Sequence, residues 1–247
     1  MIKRVPKPPL LELIRYRVPG VLAILLLFAW LVPRSHAVDP PRADLDVAAI
    51  DAFVETQIDR HRIQGLALAI IQGDEIVHVQ GYGTAGEGRP VEADTPFYLG
   101  SVTKSLTALA VMQLVDAGQI QLDRAVQDYL PWFEVADSEA SAQISVRHLL
   151  NQTSGLSRAS YTDAPWSPDA SLEESVRSLK SARPTAAVGT RFQYFNPNYT
   201  TLGLLIEAVS GQSYGEYLAD HVFEPLQMER SFTSREAAER AGLAQGY

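Results

Sequence analysis

The sequence predicts an α/β chain of the α+β kind, an antiparallel sheet flanked by helices and followed by a helical region. Three observations predict it. An amphipathic helical stretch precedes a short apolar run and an alternating one, joined at Gly73-Asp74. From Ser101 onward the apolar spacing becomes helical and stays so, divided only by Gly, Pro and Ser breaks. No internal repeat or low-complexity tract competes with that reading. Strands grouped ahead of helices are the pattern of α+β and layered α/β domains.

Residues 1–37 carry a basic lead-in, with Lys3, Arg4, Lys7, Arg15 and Arg17 ahead of an apolar run of 15 residues from Val18 to Val32. Ser35-His36-Ala37 then places small residues where a signal peptidase reads. The run is shorter than the roughly 20 residues that span a bilayer comfortably. The segment is a signal peptide or, if uncleaved, a membrane anchor, and either sends the body out of the cytoplasm, to the periplasm or the exterior. Residues 38–44 (VDPPRAD) are Pro-rich and polar and read as a linker.

The domain runs over 45–247. Leu45, Ala48, Ala49, Ala52, Phe53 and Ile58 give helical spacing over 45–63, ended by Gly65. Leu66 to Ile71 suits a strand, and Glu75 to Gln80 alternates polar and apolar, so the two form a hairpin. Thr84 to Thr95 is a loop containing Gly and Pro. Ser101 to Ala117 is the clearest helix, stopped by Gly118, and 145–151, 172–181, 199–209 and 214–223 follow as shorter ones. A two-stranded sheet leaves an unpaired edge and is marginal in water. Residues 236–247 stop without a closing signal, so the expectation is an incomplete domain that lacks further C-terminal strands.

Composition limits the function. The formal charge is −8, yet residues 1–37 hold six Lys or Arg against one Glu, a balance of +5 that leaves −13 on the rest. A body so acidic repels a phosphate backbone, so nucleic acid is not expected as a partner. With no cysteine in the chain, thiolate nucleophiles and Cys-ligated zinc are excluded. His36, His61, His78, His148 and His221 show no metal-ligand spacing, so no metal or cofactor is expected.

Chemistry concentrates in two short motifs. In Ser101-Val102-Thr103-Lys104 the spacing of three puts the hydroxyl and the ammonium on one helix face. A helix start offers amides and a positive dipole end to a developing oxyanion. A lysine there can help remove the hydroxyl proton once its pKa falls well below the free value of about 10.4. An ordinary N-cap serine with a solvated lysine would look the same. Against that, the first turn disfavours a cation, and only Lys104 and Lys180 occur after residue 7, basic charge elsewhere being carried by arginine. The second motif is Tyr194-Phe195-Asn196. A phenol beside an ammonium can act as a base, and the Asn196 amide can hold a carbonyl or the lysine. An aromatic turn with Asn196 as helix cap is the plain alternative.

Taken together and in this order, the two motifs resemble the serine beta-lactamase and penicillin-binding-protein family, the class C beta-lactamases, DD-peptidases and related esterases. The 66–83 hairpin, HLLNQTSGL at 148–156, LGLLIEAVSG at 202–211 and FEPLQM at 223–228 resemble further stretches of that family, although Gln227 stands where glycine is usual. The resemblance implies a beta-lactamase/transpeptidase-like fold and an exported serine hydrolase. In it Ser101 is acylated, Lys104 assists proton transfer, Tyr194 is the general base, and Asn196 contacts substrate. It implies a small-molecule or peptide substrate (a beta-lactam, D-alanyl peptide or small ester) and no obligate protein partner, with the membrane involved only if the N-terminal segment stays uncleaved. A binding or regulatory protein that kept the scaffold is the alternative. The family's third motif, Lys-Thr-Gly or a variant, has no match after Asn196; Arg240-Ala241-Gly242 comes nearest, in surroundings that read as helix and loop. That motif supplies an oxyanion donor, and losing one costs about 100- to 1,000-fold in turnover. Residues 1–247 alone are therefore expected to be poorly active.

Two other motifs are set aside. Gly211-Gln212-Ser213-Tyr214-Gly215 matches a nucleophile elbow but follows a helix where a strand is needed. Gly81 to Gly86 matches a dinucleotide fingerprint, but a loop follows it instead of a helix.

Overall fold

The computed structural model describes residues 45–160 and 170–246. The segments read as signal peptide or anchor and as linker, 1–37 and 38–44, lie outside the described residues. The chain divides into Met1–Ala48 and Ala49–Tyr247, and the second unit holds the sheet and every helix apart from the first two residues of α1.

Helix α1 spans Val47–His61. It is followed by strand β1 (Gly65–Gln72), which pairs antiparallel with β2 (Glu75–Gly86), with Gln72 opposite Glu75 across the two-residue turn. The pairing slips at Ile70/Ile71, a bulge that bends β1. A short third strand, β3 (Arg89–Pro90), pairs with the end of β2, giving the order β1-β2-β3. The sequence reading expected two strands and a loop over 84–95. Two-residue pairing around a Glu87-Gly88 turn is too short to leave a periodic signal. The fingerprint glycines sit in β2 because the backbone is crowded there: a Cβ on Gly81 would lie 2.0 Å from the Val91 carbonyl oxygen. The dinucleotide reading is thereby displaced by a packing one.

A 3₁₀ turn, Gly100–Val102, leads into α2 (Thr103–Asp116), which buries Thr107, Ala110, Val111 and Leu114 along one stripe. Helices α3 (Ser138–Gln143), α4 (Val146–Leu150) and α5 (Leu172–Arg177) follow. Of these α3 escaped the sequence reading, since SEASAQ has almost no apolar periodicity. The predicted helix over 172–181 ends at Arg177 and tightens into a 3₁₀ turn, Ser178–Ser181. Helix α6 (Asn196–Ser210) is the central one, burying Asn198, Thr201, Leu202, Gly203, Leu204, Leu205 and Ile206. It begins three residues earlier than predicted, with Pro197 in its first turn, where a missing N–H costs nothing. Helix α7 (Tyr214–Leu218) gives way to a π turn, Ala219–Phe223, and α8 spans Arg235–Arg240.

Ser213 caps α7 by accepting from the Glu216 N–H while Glu216 reaches back to the Ser213 N–H, a capping box that accounts for the elbow-like sequence. Ser145 and His148 form an equivalent box on α4, so His148 is a structural residue. Arg240-Ala241-Gly242 lies at the end of α8, with Arg240 paired to Glu236. One continuous apolar core, from Ala110 to Phe223, lies wholly within the helical region. Among the described residues no helix is long and apolar enough to cross a membrane, and no cluster of side chains could hold a metal ion.

Candidate functional site

Two helix starts meet at the site. Ser101 occupies the middle of the 3₁₀ turn, whose Leu99 carbonyl accepts from the Val102 N–H at 3.2 Å. Gly100, just before it, has φ +53 with open space where a Cβ would be, so the left-handed backbone and not crowding calls for glycine. This corrects the prediction that Ser101 begins the α-helix: Val102 is the N-cap of α2, and Ser101 stands one residue ahead of it. Lys104 is the second residue of α2, in the first turn as expected. Tyr194 lies two residues ahead of α6, Phe195 is that helix's N-cap, and Asn196 is its first residue. Asn196 is therefore no side-chain cap, and its amide is turned to another task.

The four side chains come together across more than 90 positions of sequence. The Ser101 and Tyr194 hydroxyls are 2.6 Å apart. Lys104 Nζ donates to Asn196 Oδ1 at 2.9 Å and to Ser101 Oγ at 3.4 Å. The same ammonium lies 4.7 Å from the Tyr194 ring centroid and 5.7 Å from that of Tyr199. A cation in a helix's first turn, unfavourable by itself, is thus held by an amide oxygen and two aromatic faces. Ser101 and Asn196 are exposed, and Tyr194 is 45% exposed, so the group is open to a ligand.

The electrostatics separate the two tyrosines. Hydrogen bonding to Lys104, then to Ser101, draws the Tyr194 phenol below its ordinary value, with the Lys104 charge adding to the effect against partial desolvation. Burial pushes Tyr199 upward, and the nearby Tyr194 adds to that. Its hydroxyl donates to the Leu150 carbonyl at 3.1 Å and stays neutral. Two phenols moved in opposite directions mark Tyr194 as the one suited to give up a proton.

Behind the exposed group stands a buried layer that the sequence reading missed. Gln152 is 5% exposed, Asn198 1% and Ser154 0%. Gln152 Oε1 accepts from the Phe195 N–H at 3.0 Å and from Asn198 Nδ2 at 2.8 Å, while Ser154 Oγ donates to Asn198 Oδ1 at 2.9 Å. Gln152 and Ser154 belong to HLLNQTSGL, a stretch read for its family likeness with no role given to either, and Asn198 follows the Tyr194-Phe195-Asn196 motif by two residues. Buried polar types inside such a run were the only signal available.

The sequence and the fold have parallels in known proteins. A family model described as Beta-lactamase matches residues 50–247. Penicillin-binding protein 4 of Amycolatopsis lactamdurans is 36% identical over 188 residues, which is 76% of this chain and 49% of that protein. The octameric penicillin-binding protein homologue from Pyrococcus abyssi superposes with a TM-score of 0.71 at 31% identity, over 82% of this chain and 48% of that one. EstCE1, described as a hydrolase with promiscuous acyltransferase activity, gives a TM-score of 0.65 at 26% identity, over 73% of this chain and 51% of that one. The chain spans about half the length of these relatives.

Proposed function

The chain belongs to the beta-lactamase family, and from that membership we propose that it is a serine hydrolase working through an acyl-enzyme on Ser101. The observation that carries this reading is the 2.6 Å contact between the Ser101 and Tyr194 hydroxyls, with the Lys104 ammonium against both. Tyr194, its phenol already drawn down, takes the Ser101 proton as Oγ attacks the substrate carbonyl carbon. The carbonyl π electrons move to oxygen, where the Ser101 N–H is one donor to the developing charge. Tyr194 then passes the proton to the departing nitrogen or oxygen, and the acyl–Ser101 ester remains. In deacylation water gives its proton to Tyr194 as it attacks the ester carbon, and Tyr194 passes that proton to Ser101 Oγ as the C–Oγ bond breaks, releasing the acid and restoring the serine. Lys104, against both hydroxyl-bearing side chains, assists the transfer by favouring the phenolate, while Asn196 holds its Nζ.

The substrate class is a strained or activated amide or an ester, as in beta-lactams, D-alanyl peptides and small esters. Turnover by residues 1–247 is expected to be low, because 197–247 carry no Lys-Thr-Gly type triplet to bring a second oxyanion donor. The acidic body acts outside the cytoplasm on this reading, and a mature N-terminus found at Val38 would support cleavage of the leader.

Intact-mass spectrometry after incubation with a fluorophosphonate and, separately, a labelled penicillin tests the proposal. A slow, stoichiometric adduct mapped to Ser101 and absent from Ser101→Ala is the expected result. A folded chain that takes up neither reagent, or an adduct that survives Ser101→Ala, would overturn it.

A further inference from the structure

Tyr194 is exposed and lies outside regular structure, yet its hydroxyl stands at hydrogen-bond distance from a serine on another element. Something must fix its backbone. Its own side chain is poorly placed to do so, because a ring at 45% exposure has little packing to hold it. Neither does a side-chain cap on α6, because Phe195 makes none.

The backbone N–H groups of both residues flanking Tyr194 end on one residue. The Gln193 N–H donates to the Gln152 carbonyl at 2.8 Å, and the Phe195 N–H donates to Gln152 Oε1 at 3.0 Å. Gln152 therefore brackets Tyr194, the main chain holding the residue before it and the side chain the residue after it. The same Oε1 takes Asn198 Nδ2 at 2.8 Å, tying the bracket to the first turn of α6, which also carries Asn196. Ser154 Oγ orients Asn198 by donating to its Oδ1 at 2.9 Å, and the Thr153 carbonyl takes the Gly189 N–H at 2.8 Å.

Two features say that Gln152 is held for this task. Its φ is +58, a left-handed conformation that costs a non-glycine residue roughly 1–2 kcal/mol. That conformation lets one residue present its carbonyl and its side-chain oxygen to the same segment. Its Nε2, in contrast, is buried with no hydrogen-bond partner among the described residues. An amide that leaves its donor end unpaired while its oxygen takes two bonds is kept for the oxygen.

We infer that Gln152 is a positioning residue: by bracketing Tyr194 it sets the phenol against Ser101 and Lys104. The inference rests on the reading of Tyr194 as the proton acceptor, and it assigns no contact between Gln152 and substrate. Without the bracket, Phe195 N–H and Asn198 Nδ2 lose their acceptor, the 193–196 turn shifts, and the phenol leaves the ammonium.

The test uses the whole chain with isotope-labelled tyrosine, the Tyr194 resonance being assigned by its loss in Tyr194→Phe. In the unaltered chain Tyr194 titrates below the ordinary phenol value. In Gln152→Met, which keeps the length of the side chain but removes the acceptor, it is expected to return to about 10. The Ser101 phosphonylation rate at saturating reagent is expected to fall about 100-fold, as for a misplacement of about 1 Å, with apparent reagent affinity nearly unchanged. If Gln152→Met fails to fold, Gln152→Gly serves, since glycine adopts φ +58 freely and keeps the carbonyl for Gln193. A Tyr194 titration unmoved in whichever variant folds would overturn the inference. A chain that never labels at Ser101, but in which Tyr194 titrates low and moves on losing Gln152, would sink the hydrolase reading and leave the bracket standing.

Discussion

The sheet region and the helical region of this chain are held together by different forces. From Ala110 to Phe223 the helices share one apolar core. Ahead of Phe97, among the described residues, the buried apolar side chains are Tyr82, Ala85, Val91 and Pro96, and α1 buries none. Phe53, Ile71 and Ile76 are 64%, 64% and 68% exposed. A polar latch joins α1 to the strands: Asp51 Oδ1 accepts from the Tyr82 hydroxyl at 2.5 Å and meets His78 Nε2 at 2.9 Å. The four motif residues all sit at the starts of α2 and α6, both anchored in the core. The difference teaches that the site geometry is supported by the apolar half, so the sheet can be perturbed without parting Ser101 from Tyr194.

Core deletion gives the largest expected effect. Leu205, 0% exposed in the middle of α6, loses its transfer energy and leaves a cavity on Leu205→Ala, a cost of about 2–5 kcal/mol. Ile76→Ala removes a side chain that is 68% exposed and should cost no more than about 0.5 kcal/mol. Urea unfolding of the two variants decides the matter. Equal losses would break the contrast between the regions.

Tyr194→Phe separates chemistry from support within the helical half. It removes the proposed base and leaves the ring, so Ser101 phosphonylation should slow by about 100-fold or more while the urea midpoint hardly moves. The pH profile carries a further sign. Because the Tyr194 pKa is lowered, its basic form is present above that lowered value, and the rate in the unaltered chain should rise with pH and level off below the ordinary phenol value of about 10. That limb should vanish in Tyr194→Phe. A variant that keeps the limb would assign the base to some other group.

How much of this could be read beforehand follows from the range of each interaction. The hairpin, α1, α2 and α6 announce themselves through local periodicity and Gly or Pro punctuation. Ser101, Lys104, Tyr194 and Asn196 are legible as residue types in a fixed order, but their meeting is not, since it depends on how α2 packs on α6. The 3₁₀ turn before α2 was missed because choosing i→i+3 over i→i+4 bonding at Ser101 follows from the left-handed Gly100 and leaves no apolar pattern. Gln152 was invisible for a similar reason. Its bonds reach 43 and 46 positions along the chain, and a positive φ on glutamine has no compositional mark.

The smallest effect belongs to the polar latch and sharpens the contrast most directly. Burial, then hydrogen bonding to Asp51 and the charges of Asp51 and Glu55, raises the Tyr82 phenol to about 12. The folded chain thus binds this proton more tightly than the unfolded one does. Its stabilising contribution is complete below about pH 10, the unfolded phenol value, and is lost as pH climbs through about 12. Asp51→Asn keeps an acceptor beside Tyr82 but removes the charge, so the Tyr82 pKa should fall part of the way, burial keeping it above the ordinary value. The alkaline loss of stability should shrink accordingly. Burial also raises Tyr199, Tyr214 and Tyr217 in the helical half, but those contributions are shared by both proteins and drop out of the difference. Denaturation curves for the pair across pH 8 to 12 measure that difference, and Ser101 phosphonylation at neutral pH should match between them within about twofold. If Asp51→Asn slowed phosphonylation as severely as Tyr194→Phe, the latch would belong to the site, and the two regions could no longer be treated as separately held.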